Sequence, residues 1–296
     1  MPLPHALSSS LSVVAARAAP PHAPFTALAC LQAGDTGPTA FELLPVDQVT
    51  LTLRGRRDAP GAVVIEARGL RTAPRVCATD ATQCLVALLS PSAALSLFGD
   101  ALATLADGTR RGEALFDAPS LAALREIAAS AAGPAEALRW FEHWLASRPD
   151  RLAAAGESAR RIAAVTDACL AESAPPMDIA RLAALAGVTT RQVQRDFAQH
   201  LGISPIAWLR LVRLQRTLGG IARGTPMAEL STAQGFSDQS HMTRELRRWI
   251  GVTPGQLLAE LARPGSRQLV QALATRVILL RRQGPAVTAA RAGSTR

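Results

Sequence analysis

Two stretches of this chain nearly repeat each other. Residues 187–205 read GVTTRQVQRDFAQHLGISP, and residues 235–254 read GFSDQSHMTRELRRWIGVTP. Each opens on a glycine, an apolar residue and a hydroxyl (Gly187-Val188-Thr189 and Gly235-Phe236-Ser237). Each closes on a matching turn, Gly202-Ile203-Ser204-Pro205 and Gly251-Val252-Thr253-Pro254. Self-similarity of this kind restricts the region to two copies of one supersecondary unit. The opening glycines lie 48 residues apart and the closing ones 49, so the second copy carries one extra residue, expected after its turn.

Local chemistry says what the unit is. Residues 178–186 and 227–234 carry short helical patterns, each followed by a glycine where a left-handed cap needs no Cβ. Asp178, Thr189, Thr225 and Ser237 or Asp238 stand where a side chain can accept from free amides at a helix start. Pro226 suits a first helical turn. The layout is helix, tight turn, helix, twice over.

The second helix of each unit has two faces. In residues 190–201, Val193, Phe197 and Leu201 form a buried stripe, and Arg191, Gln194, Arg195 and Ala198 form another face. In residues 238–250, Met242, Leu246 and Trp249 or Ile250 form the stripe. Gln239, Ser240, Thr243, Arg244 and Arg247 lie outside it. Arginine and glutamine can pair bidentately with guanine and adenine edges in a major groove. One such face is an ordinary solvated surface; two matched faces on matched units point to DNA reading.

The residues that carry this pattern resemble a known family. The stretches DIARLAALAGVTTRQVQRDFAQHLGISPIAWLRLVRLQRTLGGIARG and MAELSTAQGFSDQSHMTRELRRWIGVTPGQL, within residues 175–262, are similar to the DNA-binding domain of AraC/XylS-type bacterial transcription regulators. The resemblance implies two helix-turn-helix units on a long linking helix, entering successive major-groove segments on one face of a double-stranded DNA operator. Leu246 stands where that family usually has an aromatic core residue. The linking helix starts at Pro205 and runs toward Gly219-Gly220. Its roughly 14 residues span about 20 Å, a rod able to hold two reading helices about one DNA turn, roughly 34 Å, apart. Arg210, Arg213 and Arg216 follow one side of it, within reach of phosphates, though a solvated face reads equally well.

Charge is distributed to match. Of 32 basic and 23 acidic residues, residues 1–150 hold 12 and 14, net −2, and residues 151–296 hold 20 and 9, net +11. Only the second half suits a polyanion.

Residues 25–150 read differently. Strands are expected at 41–44, 49–53, 63–67, 76–78 and 84–89. In the second, Val49, Leu51 and Leu53 alternate with Thr50 and Thr52 as in a half-buried strand. Helices are expected at 92–97, 100–106, 119–131 and 134–146. The fold class is therefore an α+β N-terminal domain, short strands followed by helices, joined to an all-α C-terminal domain. The stretches LLPVDQVTLTL and ARGLRTAPRV with CLVALLSPSAALSLFG resemble, more weakly, an uncharacterised sensor domain carried by some members of the same family; Ser90-Pro91-Ser92-Ala93 departs from the Pro-Gly-Ala segment found there.

The expected organisation is a disordered leader at 1–24, a sensor and dimerisation domain at 25–150, a linker helix and hinge at 151–174, the DNA-binding domain at 175–262 and a basic tail at 263–296. The leader lacks the basic start of a signal peptide, and Arg17 interrupts its apolar run. The tail carries a candidate helix at 268–282.

No catalytic residues are expected. Asp47, Asp58, Glu66 and Asp80 pair with no nucleophile, and no phosphate loop or nucleophile elbow occurs. Cys30, Cys77, Cys84 and Cys169 lack metal or disulfide spacing and are expected as buried thiols in a reducing cytoplasm. The five histidines form no metal set, and His241 is expected to cap its helix or touch DNA. No metal, cofactor or membrane association is expected. Beyond the operator, candidate partners are RNA polymerase, a small-molecule effector and a second copy in a homodimer. Two rival readings remain, a helical protein-interaction scaffold and a DNA-repair methyl-transfer regulator. The charge asymmetry argues against the first, the unclustered cysteines against the second.

Overall fold

The structure is a computed structural model; it describes residues 12–19, 23–32, 39–56, 59–130, 133–171, 176–262 and 279–281. The N-terminal half is antiparallel. A six-stranded sheet has the order β1 (Ser12–Ala18), β2 (Ala27–Gln32), β7 (Gln83–Leu89), β4 (Val49–Arg56), β5 (Ala59–Arg68), β8 (Thr109–Arg111). A smaller sheet joins β6 (Arg75–Thr79), β3 (Thr39–Leu43) and β9 (Leu279–Arg281).

The five expected strands are present, β4 with its alternation intact. Val49, Leu51 and Leu53 enter the main core, so that face packs helices. The strand is not half-buried, however: Thr50 and Thr52 are also buried. Thr52 manages this by donating to the Glu66 carbonyl at 3.2 Å, since a buried hydroxyl needs a partner.

Two expectations are corrected. The residues 12–18, assigned to a disordered leader, form β1, paired with β2 from Ser12↔Gln32 to Ala18↔Ala27; residues 1–11 and 20–22 lie outside the described residues. The end of the tail helix expected at 268–282 is instead β9, paired with β3 from Phe41↔Arg281 to Leu43↔Leu279; residues 268–278 lie outside the described residues.

The helices follow in order. α1 (Pro91–Phe98) leads into a 3-10 helix (Gly99–Leu105), then α2 (Ala118–Ala129) and α3 (Pro134–Ala146). α4 (Glu157–Leu170) packs on both α1 and the first helix-turn-helix unit. It is shorter than the expected linker, and Ile162, Val165, Thr166 and Cys169 are buried, so it is a packed core element. α5 (Ile179–Ala186) and α6 (Thr190–Leu201) form the first unit, and α8 (Met227–Ala233) and α9 (Gln239–Ile250) the second. α7 (Pro205–Arg223) links them and α10 (Pro254–Leu261) closes the second. With 19 residues α7 spans about 28 Å and runs through Gly219-Gly220 rather than ending there.

One continuous core runs from the sheet through α1–α4 to Val193, Phe197, Leu201, Trp208 and Val212. A second holds Leu214, Leu218, Leu230, Met242, Leu246, Ile250 and Leu257. The two halves of α7 thus belong to different cores.

Candidate nucleic-acid interface

Each unit is built from caps its own sequence supplies. Asp178, Thr189, Ser204 and Asp238 accept from the backbone amides three residues on, at 2.6 to 3.2 Å. Asp238 is fully exposed, and its bond from the His241 amide holds its carboxyl below the ordinary range. Thr225 does not cap: the N-cap of α8 is Pro226, which makes no side-chain bond. Gly187, Gly202, Gly235 and Gly251 all have φ between 67° and 74°, the left-handed region glycine enters without cost. The helices α6 and α9 are both 12 residues long. The extra residue of the second copy therefore lies in the turn itself, where three steps separate Gly235 from the cap Asp238 and two separate Gly187 from the cap Thr189.

The buried stripes are those expected. Val193, Phe197 and Leu201 in α6, and Met242, Leu246 and Ile250 in α9, are almost solvent-free. Trp249 is half-buried beside Phe236, with ring centroids 6.5 Å apart. Leu246 is fully buried, so an aliphatic side chain fills its position.

With the stripes fixed inward, the opposite residues face solvent. Arg191, Gln194 and Arg195 on α6, Gln239, Ser240, Arg244 and Arg247 on α9, and Arg210 on α7 are exposed; Thr243 is half-buried. Among the described residues, none of these five arginines joins an ion pair. The row along α7 divides. Only Arg210 is left exposed. The Arg213 guanidinium lies over the Phe236 ring at 5.7 Å. Arg216 donates to the carbonyls of Cys169 and Ala171 at 2.7 and 2.9 Å, capping the end of α4. His241 braces the second turn, its Nδ1 3.1 Å from Ser237 Oγ and its ring edge-on to Phe236.

A polar network behind α6 was not anticipated. Asp196 is buried on the inner side of α6, at 1 % exposure. It accepts from Arg161 of α4 at 2.7 Å and from Gln192 at 2.6 Å. Arg161 also reaches Glu157 at 2.9 Å. One turn on, His200 Nε2 lies 2.8 Å from Ser158 Oγ, and burial pulls its pKa below the ordinary value. A carboxylate beside Phe197 on the apolar stripe was the signal in the sequence, because a buried charge demands a partner.

Elsewhere, Glu66 is held by Arg54 and Arg68, both at 2.7 Å, and by Arg111 at 3.6 Å, the pairing of a structural ion cluster. Burial pushes the Cys169 thiol up to about 11.

The paired units define the class: a helix-turn-helix domain. Residues 182–260 match the family model described as a helix-turn-helix domain. The domain is of the AraC type. Over 84 residues the chain is 33% identical to the HTH-type transcriptional regulator GlxA of Rhizobium meliloti, covering 28% of this chain and 26% of that protein. Over 90 residues it is 27% identical to a probable thc operon regulatory protein of Rhodococcus erythropolis, covering 29% and 27%. A crystal structure of a transcriptional regulator with an AraC-type DNA-binding domain, from Chromobacterium violaceum, is 27% identical, covering 36% of this chain and 97% of that one, with a TM-score of 0.33. The chain thus spans about a quarter of the length of the curated relatives it matches. No helix among the described residues is long and apolar enough to cross a membrane.

Proposed function

We propose that this protein is a sequence-specific DNA-binding transcription regulator. The observation that carries the reading is the pair of equivalent units, each turning an unpaired arginine- and glutamine-bearing face to solvent, on the half of the chain with net charge +11. Arg191, Gln194 and Arg195 read one major-groove segment. Gln239, Ser240, Thr243, Arg244 and Arg247 read the next, and Arg210 meets a phosphate. The rival scaffold role leaves these arginines without a polyanion, and a methyl-transfer role finds no support in a thiol as buried as Cys169.

A gel-shift or anisotropy titration against duplex DNA tests the reading. Log affinity should fall linearly with log salt, by roughly −0.9 for each phosphate neutralised. Affinity unchanged across that range removes the DNA-binding role.

The N-terminal half regulates, through a small molecule or through a homodimer, in the cytoplasm. An open cleft of about 520 Å³ between α1, the end of α3 and α4 supports an effector, since Ser92, Ser96, Arg148, Asp150 and Asp167 line it beside Leu97 and Leu152. A bound effector should raise the unfolding temperature of the full chain, and Ala93→Trp, which fills the cleft, should abolish that rise; an equal rise in the variant moves the effector elsewhere.

A further inference from the structure

The segment Leu44-Pro45-Val46-Asp47-Gln48 joins β3 to β4 and has no part in the reading faces. It is firmly based in the N-terminal half. Val46 and Arg71 exchange backbone hydrogen bonds of 3.0 and 3.3 Å, and Arg71 Nη1 donates to the Leu44 carbonyl at 3.3 Å. Val46, Asp47 and Gln48 are buried. The far end of the segment belongs to the other half of the molecule. Leu44 is fully buried and belongs to the core of the second helix-turn-helix unit, the cluster that also holds Leu214, Leu218, Leu257 and Leu261. Every other buried member of that core lies between residues 214 and 261. From the middle of α7, the buried Gln215 donates through Nε2 to the Pro45 carbonyl at 2.5 Å.

The first unit is gripped separately. Gly202, at the end of α6, sits so close to the 3-10 helix that an added Cβ would stand 2.2 Å from the Ala103 carbonyl oxygen. Arg161 and Ser158 hold the inner side of α6. Between the two grips lies the first half of α7, from Pro205 to Gln215; its Gly219-Gly220 pair, a weak point in a rod, follows the second grip and is packed under Leu230.

We propose that the Leu44–Pro45 knob is a positioning element for DNA recognition: it docks the second unit onto the N-terminal half, which also holds the first, and so sets the separation of the two DNA segments the chain reads. The inference rests on the two-headed reading above. An apolar side chain in a closed core, beside a directional hydrogen bond to a buried amide, fixes position where a polar surface contact would slide. Inserting one base pair between the segments shifts the second by roughly 3.4 Å and about a tenth of a turn, which a firmly held pair of heads cannot follow.

The test uses the full chain, a duplex selected from random-sequence DNA, and versions of that duplex with one base pair added or removed between the segments. The unaltered protein should prefer the selected spacing by roughly tenfold, the scale of a coupling between two sites. Leu44→Ala and Gln215→Met should bring that ratio toward unity and leave the preference at individual bases unchanged. Without DNA, both should speed amide exchange in α8–α10 and spare α5 and α6. Gln215→Met leaves Leu44 in place and so serves if Leu44→Ala does not fold. A folded variant that keeps the full spacing preference overturns the proposal, as does an unaltered chain indifferent to spacing. A chain that selects no duplex instead overturns the two-headed reading, and unchanged exchange in α8–α10 then removes the knob's grip as well.

Discussion

At the scale of single residues, the exposed faces of α6 and α9 and the groups that support them obey different rules. Arg195 and Arg244 are exposed and unpaired, so replacing them changes little in the folded protein. Asp196 is the opposite case: a carboxylate at 1 % exposure, made tolerable by Arg161 and Gln192. Arg161→Met leaves that charge buried and short of its cationic partner, a change that typically costs about 3–5 kcal/mol; chemical denaturation measures it, and a loss under about 1 kcal/mol would mean water reaches the carboxylate. His200 adds a pH dependence. Burial lowers its pKa below 6.5, against the pull of Asp196 and Asp100. The unfolded chain therefore takes up a proton on this ring before the folded one does. Stability from this group is complete above pH 6.5 and declines as pH falls below it. His200→Gln should flatten that part of the stability profile, and an unchanged slope would assign the pH dependence to other groups.

At the scale of elements, the two closing turns offer an internal control. Gly202 and Gly251 have nearly the same φ, 70° and 74°. A Cβ on Gly251 meets nothing within 4 Å, whereas one on Gly202 meets the Ala103 carbonyl and the Ala106 side chain. Gly251→Ala should cost about 1–2 kcal/mol, the strain of a left-handed alanine. Gly202→Ala should cost a further 1–3 kcal/mol or so from overpacking, measured by thermal unfolding of the full chain. Equal losses would mean that the first unit does not press on the 3-10 helix. The repeat itself shows both turns but not this difference, because the partner lies a hundred residues away. The same division runs through the whole sequence. Patterns with a period were legible: the alternation of β4, the stripes of α6 and α9, and the outward faces that follow from them. β1 and β2, SVVAARA and ALACLQ, were missed because alanine is a poor strand former and their pairing, not their composition, makes them strands. α7 passes through Gly219-Gly220 because Leu230 packs against that surface, where a Cβ on Gly220 would stand 2.5 Å from Leu230 Cδ1. Arg216 looked free for phosphate, and its carbonyl partners stand 45 and 47 positions earlier.

At the scale of the whole molecule, the N-terminal half and the helix-turn-helix half share cores at both units. Core sharing ties each helix-turn-helix unit to the N-terminal half. A fragment of residues 151–262 should accordingly be more stable than one of 174–262, since the longer one restores Arg161 to Asp196 and packs α4 on α5 and α6; equal denaturation midpoints would mean that α4 adds nothing to the first unit. The central claim is that the chain repeats itself because it reads two segments of one site. It is tested most directly by measuring Arg195→Ala and Arg244→Ala, with Phe197→Ala as a folding control, against a library of single-base variants of the selected duplex. Each arginine variant should lose roughly 1–3 kcal/mol and relax base preference at its own, separate position. Phe197→Ala, which empties a fully buried site, should instead lose about 3–5 kcal/mol of stability without changing which bases are chosen. If both arginine variants stay folded and keep the base preferences of the unaltered protein, the assignment of α6 and α9 as reading helices is wrong and the repeat is purely structural.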